Sequence, residues 1–391
     1  MRGGAFACAG LLALACSVVA EENAKRDAPP FEAPTVLEVN AAIDRGLAWL
    51  KSAQRKDGSW GPCVGGPRYD GGPGGVCYLA GPTAFSVFTL ATCEVPRRDP
   101  AIKRGLAYLQ KKFGLNSNHQ FSTYESAAIV LMLTAVNADR KKRMARPSKS
   151  HLRPPRGSRF KKQEWKWMDH HLQKILIRHT SPNRLWRYWE QPRDEDLSAT
   201  QFVLLALREA RRAGYPVSGS IRGRWEDIAK AVTRFQMPNG AFRYQSSYQA
   251  TLGMTAAGVA SLLVCKEQIV LDGRGVPNSL DAALEKGLRY LGANWGTENR
   301  HDERRDGQQH ALYNYYYLYT LERVGSMRDK KTLGGLLWYP RGAAFLLEQM
   351  RRRKTHWSDP TCMDPEDVLG TCFALLFLKR GTLPAITSTR R

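Results

Sequence analysis

The strongest candidates for acid chemistry are the carboxylates of Asp194-Glu195-Asp196, which stand shortly before the apolar stretch 202–207. A carboxylic acid at the start of a buried helix can donate a proton if its surroundings keep it protonated. Carboxylates at this place also stabilise a helix without catalysis, because they lie near the positive end of its dipole. The intervening Ser198-Ala199-Thr200-Gln201 reads as a capping box, with the serine as cap and the glutamine reaching back. The sequence therefore leaves a chemical and a structural role open for these acids.

Recurring phrases indicate that the elements positioning these residues are repeats. The phrases are Gly46-Leu47-Ala48-Trp49-Leu50, Gly105-Leu106-Ala107-Tyr108-Leu109, Gly287-Leu288-Arg289-Tyr290-Leu291 and Gly342-Ala343-Ala344-Phe345-Leu346. Each lies late in a helical pattern and is followed by a polar turn and a more apolar run, which predicts a helix hairpin. Weaker copies at 163–179 and 224–236 raise the number of predicted hairpins to six. The period of about 55 to 64 residues exceeds the roughly 34 of common helical repeats.

The starts of both helices in each hairpin can be read from these patterns. The first helices are predicted to begin near Thr35, Asp99, Gln163, Arg224, Ser279 and Gly334. The second helices are predicted to begin near Pro82, Ser122, Ser198, Thr251, His310 and Asp367. The second helices are apolar almost all round, as expected for helices covered on both sides. We therefore predict one all-α repeat domain over residues 35–381.

The turn after the first helix carries a motif with a known relative. Gln54-Arg55-Lys56-Asp57-Gly58-Ser59-Trp60 resembles the Q-x-x-D-G-x-W repeat of squalene and oxidosqualene cyclases and protein prenyltransferases, with degenerate copies at 236–242 and 349–357. Asp-Gly supplies the positive φ that ends the helix, the aromatic side chain folds back, and glutamine bridges to the neighbour. The resemblance implies an α6/α6 toroid of six hairpins around a central cavity. It also implies that six inner-helix N-termini meet at one mouth, where their N–H groups favour an anion.

The same resemblance gives the acidic run a specific comparison. The cyclases protonate their substrate with the central aspartate of a D-x-D-D motif at the start of an inner helix. Aligned by acidic letters, Asp194 and Asp196 match and Leu197 replaces the last aspartate; aligned by the helix register, Ser198 falls on the acid. The motif is incomplete in both alignments. Asp196, with Asp194 second, is therefore the candidate catalytic residue, and catalytic activity stays open.

Further residues are predicted to line the cavity because they lie at or near inner-helix starts. They are Tyr124, Glu125, Ser198, Gln201, His310, Tyr313, Tyr316 and Asp367. Glu125 closes a second capping box that begins at Ser122, so its role is also open between cap and site. The tyrosines between 313 and 319 can steady a cation through their ring faces. Because they point in several directions around a helix, we expect most of them to pack in the core.

No metal or cofactor is predicted. The prenyltransferases hold Zn²⁺ with Asp, Cys and His, but the chain has no D-x-C, and at His310 the helix register places Tyr313 at the ligand position. Nucleophile-elbow, phosphate-loop, dinucleotide and thioester signatures are also missing from the sequence. A glycan-active toroid needs no linear motif, only paired carboxylates. Its candidates would be Asp194, Asp196, Glu125, Asp364 and Asp367.

The N-terminus has the layout of a secretory signal over 1–20, with cleavage predicted after Ala20, followed by a disordered linker over 21–34. Residues 382–391 are predicted as a tail. No later run reaches the ~18 uninterrupted apolar residues of a membrane helix, so we expect a soluble protein exported to the periplasm or beyond. Export permits a disulfide between Cys63 and Cys77, which flank a Gly/Pro-rich loop. Three cysteines in apolar helical runs are predicted to be buried thiols: Cys93, Cys265 and Cys372.

The formal charge of +23 is partly local, because the stretch Arg140 to Lys162 holds eleven basic residues and no acid. Its prolines and glycine predict a solvated insertion, over 138–162, between the second and third hairpins. The insertion either has no partner or binds an anionic surface such as lipid headgroups or cell-wall polymer. Nucleic acid is not predicted as a partner, because the chain carries an export signal and no recognition module.

Three functions are compatible with these features. The first is an exported cyclase-like or prenyltransferase-like toroid that binds an apolar, isoprenoid-like small molecule in its central cavity, with residual acid chemistry at Asp196. The second is a binding or scaffold protein of the cell envelope. The third is a glycan-active hydrolase or lyase. The side chains that surround the inner-helix N-termini distinguish the three.

Overall fold

The computed structural model describes residues 31–61, 63–64, 77–139, 144–178, 185–188, 195–217, 225–299, 313–359 and 366–380. By contacts the chain divides into two units, 1–35 and 36–391, and all described helices and strands belong to the second. The predicted leader 1–20, most of the linker 21–34 and the tail 382–391 lie outside the described residues, so these assignments stay predictions.

The described residues form twelve helices that alternate between two layers. The outer helices are α1 (Val36–Ser52), α3 (Pro100–Phe113), α5 (Lys162–Ile177), α7 (Trp225–Thr233), α9 (Asn278–Asn294) and α11 (Trp338–Arg353). The inner helices are α2 (Gly81–Thr92), α4 (Thr123–Val136), α6 (Leu197–Arg212), α8 (Leu252–Leu271), α10 (Asn314–Arg328) and α12 (Val368–Lys379). The observed starts lie within one residue of the predicted ones except for α10 and α11. These two begin at 314 and 338 where 310 and 334 were predicted.

The inner helices form a closed ring. Each contacts the next, from α2 through α4, α6, α8 and α10 to α12, and α12 contacts α2 again. Several outer helices pack on the inner helix of the preceding hairpin: α1 lies on α12, α3 on α2, α5 on α4 and α9 on α8. The first outer helix thus covers the last inner helix. The prediction of an all-α, α6/α6 toroid of six hairpins is confirmed.

In the first repeat, the glutamine and the aromatic residue of the turn motif join the hairpin to the next one. Gln54 Nε2 donates to the carbonyl oxygens of Gly58 and Ala101, both at 2.9 Å, and so joins its own turn to α3. Gly58 has the expected positive φ of 94°. Trp60 is buried and its Nε1 donates to Leu50 O at 2.7 Å. The predicted roles of Gln54 and Trp60 are confirmed. Gly58 does not end α1, which stops at Ser52; it closes a separate turn in which its N–H donates to Arg55 O at 2.9 Å.

The glycine of the recurring phrase makes room for the motif aromatic of the preceding repeat. A Cβ on Gly105 would lie 3.0 Å from the Trp60 ring, and a Cβ on Gly46 would lie 2.5 Å from Trp357 Cζ3. The second pair joins the sixth repeat to the first, where the ring closes. At these two junctions the phrase therefore needs a glycine, because a side chain there would overlap the tryptophan ring.

This junction predicts the effect of adding one methyl group. Gly46→Ala gains up to ~1 kcal/mol of helix propensity, but overpacking a filled core costs about 1 to 3 kcal/mol. We expect a net loss of about 1 to 2 kcal/mol in the free energy of unfolding, measured by urea denaturation. Trp357→Phe removes the contacting ring atoms and should abolish most of that loss in the double variant.

Gly275→Ala is the matched control, because a Cβ there would meet open space. It should change stability by less than about 0.5 kcal/mol. An equal response of Gly46→Ala and Gly275→Ala would contradict the tight junction.

One motif aromatic was not predicted. Trp186 is buried in the third repeat, its Nε1 donates to Ile175 O at 2.8 Å, and its N–H donates to Thr200 Oγ1 at 3.1 Å. Trp60 makes the equivalent main-chain bond to Thr83 Oγ1 at 3.0 Å. The third repeat lacks the Gln and Asp-Gly of the motif. In its sequence, only Thr200 on the inner helix indicates where the motif aromatic lies.

Three antiparallel strand pairs of two residues each connect some of the helices. They are β1 (Cys63–Val64) with β2 (Cys77–Tyr78), β3 (Phe242–Arg243) with β4 (Ala250–Thr251), and β5 (Thr332–Leu333) with β6 (Leu336–Leu337). The strands of Cys63 and Cys77 pair, but these side chains are not among those described, so the disulfide stays a prediction. Cys93, Cys265 and Cys372 are buried thiols, as predicted.

One described helix, α8, has the length and mean hydropathy of a membrane span. Of its most apolar window, 83% is buried inside the protein. This burial identifies α8 as a core helix of the ring.

The described part of the basic insertion, 144–161, forms no helix or strand and is fastened to the ring by main-chain and side-chain contacts. The N–H groups of Ala145 and Ser148 donate to Arg212 O and Gly214 O, both at 2.8 Å, at the C-terminal end of α6. Phe160 is buried against Trp165, whose Nε1 donates to His151 O at 2.7 Å. These contacts fix the described part of the insertion, 144–161, to the helical ring.

Candidate functional site

The inner-helix N-termini meet at one mouth, where five of them are held by the following repeat. In five helices, an N–H at the start of the helix donates to an acceptor in the next inner helix or in the connection that leads to it. The pairs are Ala80 with Glu125 Oε1 at 3.0 Å, Thr123 with Tyr188 O at 2.8 Å, Leu197 with Tyr244 O at 3.1 Å, Gly253 with Asn299 Oδ1 at 2.8 Å and Tyr315 with Asp359 Oδ2 at 3.0 Å. These donors are therefore committed to protein acceptors. The sequence-based expectation of N–H groups open to an anion is wrong for these five.

Asp196 is the N-cap of α6 and lies at this mouth. It is fully buried (0% exposed), and its Oδ1 accepts from Ala199 N at 2.5 Å. The predicted cap at Ser198 is wrong, because the helix begins at Leu197 and Asp196 takes the capping position. Its second oxygen, Oδ2, makes no well-formed hydrogen bond with the described residues.

Burial raises the pKa of Asp196 to about 7, because the charged carboxylate loses its hydration. The hydrogen bond from Ala199, the positive charge of Arg187 and the Tyr244 hydroxyl each lower the pKa, but together they do not outweigh burial. Asp196 is therefore a carboxylic acid through the weakly acidic range and titrates near neutrality. This property satisfies the first requirement of a proton donor.

Four tyrosines surround this carboxyl and are named here the tyrosine collar: Tyr124, Tyr188, Tyr244 and Tyr316. The hydroxyls of Tyr188 and Tyr244 lie 2.5 Å apart, and the rings of Tyr124 and Tyr188 are 5.7 Å apart. Burial raises the pKa of all four phenols, that of Tyr188 to about 12, and the negative charge of Asp196 contributes. The collar is therefore neutral and presents ring faces and hydroxyls.

Tyr316 connects the collar to α6. Its hydroxyl donates to Gln201 Oε1 at 2.7 Å and lies 3.0 Å from Ser198 Oγ. Gln201 is 1% exposed, and its Nε2 has no hydrogen-bond acceptor among the described residues. Asp196 and Gln201 each carry a buried polar atom without a well-formed hydrogen bond, which costs stability unless a ligand or water supplies a partner.

Aromatic side chains fill the axis of the ring next to the collar. Phe85, Phe202, Tyr319 and Phe373, named here the aromatic plug, come from four inner helices, and their ring contacts span 5.1 to 6.2 Å. Since Phe85 on α2 touches Phe202 on α6 and Tyr319 on α10, the contacts cross the ring. The predicted central cavity is therefore filled at this depth by aromatic side chains.

The other predicted site residues are placed as follows. Glu125 caps α4 in the predicted box and accepts from Ala80 N, with its Oε1 3.2 Å from His119 Nε2, so it joins two repeats. Asp367 lies 3.2 Å from His356 Nε2, and this imidazole stacks on the Trp49 ring.

Tyr313 precedes α10 with a positive φ of 48° and is half-buried against the core. Asp194 and His310 lie outside the described residues. The structure thus brings together five of the predicted residues: Asp196, Ser198, Gln201, Tyr124 and Tyr316.

Sequence reasoning missed Tyr188, Tyr244 and Arg187. The two tyrosines follow a motif aromatic by two positions, in Trp186-Arg187-Tyr188 and Phe242-Arg243-Tyr244. Aligning these two repeats would have revealed the shared aromatic-Arg-Tyr spelling. No group of three His, Cys, Asp or Glu in the part of the chain that the structure describes is placed to hold a metal.

Among known proteins, similarity to this chain is found in solved structures. A scan against protein-family profiles and a search of curated proteins find no match. The chain is similar to the type II terpene cyclase MstE from Scytonema in its apo form, with 12% identity over 89% of this chain and 98% of that one and a TM-score of 0.49. A variant of that enzyme, in complex with its substrate geranylgeranyl dihydroxybenzoate, has 11% identity over 88% of this chain and 97% of that one, with a TM-score of 0.48.

The ent-copalyl diphosphate synthase from Streptomyces platensis gives 13% identity over 89% of this chain and 95% of that one, with a TM-score of 0.30. Similarity at this level carries no argument about activity. The closed double ring of the chain itself is an α6/α6 toroid.

Proposed function

We propose that the protein, exported by its predicted leader, binds an apolar, isoprenoid-like molecule at the mouth of the ring, with a neutral oxygen of the ligand against Asp196 and Gln201. The observation that carries this proposal is the pair of buried polar atoms, Asp196 Oδ2 and Gln201 Nε2, beside the tyrosine collar. A protonated carboxyl and an amide N–H₂ are both donors, so together they suit an acceptor oxygen.

The collar and the plug supply the apolar part of such a site. Ring faces of Tyr124 and Tyr316 and the plug ring of Phe202 offer contact area without charge. Their π faces also favour partial positive charge on a ligand. These features support an elongated apolar ligand that enters from the mouth and stops at the plug.

The acid strength of Asp196 limits the chemistry. A carboxyl with a pKa of about 7 protonates an oxygen function far more readily than an unactivated alkene, which needs a stronger acid. We therefore propose binding as the primary function and proton donation to an oxygen function, such as an epoxide, as the reaction within reach of this site.

Glycan hydrolysis is less well supported. It needs two carboxyl groups facing one bond, ~5 to 9.5 Å apart. Among the described residues, Glu125 is engaged by Ala80, Ser122 and His119, and Asp367 lies beside His356. Neither is a second acid opposite Asp196.

Geranylgeraniol binding to the full chain, measured by calorimetry at several pH values, tests this proposal. We expect binding below pH 7 that weakens about tenfold per pH unit above it, because ionised Asp196 no longer donates and must be desolvated. Asp196→Asn should bind independently of pH. Tyr108→Phe, on outer helix α3, is the matched control and should behave as the unaltered protein.

Mass spectrometry of an organic extract of the purified protein would identify a retained ligand. The proposal fails if geranylgeraniol does not bind at any pH, or if Asp196→Asn keeps the pH dependence of the unaltered protein.

A further inference from the structure

A second surface of the protein combines charge with an exposed apolar side chain. In the described part of the insertion, 144–161, six lysine and arginine side chains are exposed: Arg146, Lys149, Arg153, Arg156, Arg159 and Lys161. Leu152 lies among them and is 53% exposed. No acidic residue occurs in the sequence between Arg140 and Lys162, so the segment has no internal neutralisation.

The segment is held in place rather than free. Main-chain bonds from Ala145 and Ser148 tie its first part to the C-terminal end of α6. Ser148 Oγ lies 2.8 Å from Ser150 O and 2.6 Å from Arg153 O, within reach of its single hydroxyl hydrogen, which closes a compact turn around Leu152. The turn therefore presents the leucine and its basic neighbours on a fixed loop, and binding would order few additional residues.

Close ion pairs within the described protein do not neutralise these exposed basic side chains. Of the described ion pairs, the segment takes part in a long one, 3.9 Å between Arg159 Nη2 and Asp139 Oδ1. A solvated loop needs charge for solubility but gains nothing from an exposed leucine at the centre of the charge. Cations that attract anionic headgroups, around a leucine that enters the acyl boundary, form the pattern of a peripheral membrane contact.

We propose that segment 144–161 docks the protein on an anionic lipid bilayer, with the basic side chains on the headgroups and Leu152 inserted between them. This inference is independent of ligand binding at the mouth. A soluble polyanion would use the same charges, but it offers no apolar layer for the leucine.

Vesicle co-sedimentation of the full chain tests the proposal. Vesicles of equal parts phosphatidylglycerol and phosphatidylcholine should bind the protein, and pure phosphatidylcholine vesicles should bind at least tenfold more weakly. Arg153→Glu combined with Arg156→Glu should weaken binding at least tenfold. Leu152→Ser should weaken it several-fold, and the difference should persist in high salt, where screening reduces the contribution of charge.

Lys111→Glu combined with Lys112→Glu on α3 is the matched control, because it makes the same change in net charge at another exposed place. It should change vesicle binding less than twofold. An equal loss in the control pair would show that net charge, not this segment, drives binding. Heparin binding that equals vesicle binding, with no effect of Leu152→Ser on either, would identify a polyanion site and overturn the proposal.

Discussion

Asp196→Asn is expected to raise the free energy of unfolding above pH 7 by about 4 kcal/mol, because it removes a buried group that must ionise. The pKa of Asp196 is raised from 3.8 to about 7 in the folded protein. Between these values the folded state holds a proton that the unfolded state has lost. The free energy of unfolding is therefore not reduced by Asp196 below pH 4. Above pH 4, Asp196 lowers it by ~1.4 kcal/mol per pH unit up to about pH 7.

Asparagine keeps the cap while removing the charge, since Asn and Asp cap helices about equally well. Urea denaturation at pH 5, 7 and 8.5 should show the variant gaining on the unaltered protein as the pH rises. Asp196→Ala also loses the hydrogen bond to Ala199 N. Its gain in the free energy of unfolding should therefore be ~1 kcal/mol smaller than that of Asp196→Asn.

Asp99→Asn is the matched control at another helix start. Asp99 also accepts a main-chain hydrogen bond, from Ala101 N at 2.9 Å, but its ion pair with Lys51 and that bond lower its pKa. The change in the free energy of unfolding therefore has the opposite sign, and Asp99→Asn should be less stable than the unaltered protein at neutral pH. A gain in both variants would show that the effect at Asp196 is not caused by its burial.

Trp357→Ala is expected to lower the free energy of unfolding by about 3 to 5 kcal/mol, the usual cost of emptying a buried tryptophan site. Trp357 is fully buried, its Nε1 donates to Leu346 O at 2.8 Å, and its ring lies against Gly46 of the first repeat. The variant therefore damages the junction that closes the ring, in addition to its own hairpin.

Trp60→Ala makes the same change at the junction between the first and second repeats. In a closed ring both junctions are interior, so both variants should lose similar stability and unfold in one transition. In an open array, damage at the terminal junction stays local, because each repeat contacts only its neighbours. A loss at Trp357 well below the loss at Trp60, or a separate early transition, would contradict closure.

Local sequence was sufficient for the helices because their signals are local. The Gln54 to Trp60 turn, the apolar second runs and the residues that precede them placed the helix starts within one residue for all helices except α10 and α11. The third repeat shows the limit of this approach, because Trp186 performs the role of the motif aromatic without the rest of the motif. Its position is fixed by Thr200 and Ile175, which the chain brings to it only after folding.

By itself, the sequence determined the repeat, the hairpins and the α6/α6 toroid, together with Asp196 as the acid to examine. Only the tertiary structure decided that Asp196 holds its proton, because the burial that raises its pKa comes from the packed ring, and Arg187 and Tyr244 come from other segments. It also decided that Phe85, Phe202, Tyr319 and Phe373 fill the axis of the ring, where the sequence had predicted a central cavity. Hairpins follow from neighbours in sequence, whereas desolvation and packing across a ring depend on residues far apart in the chain.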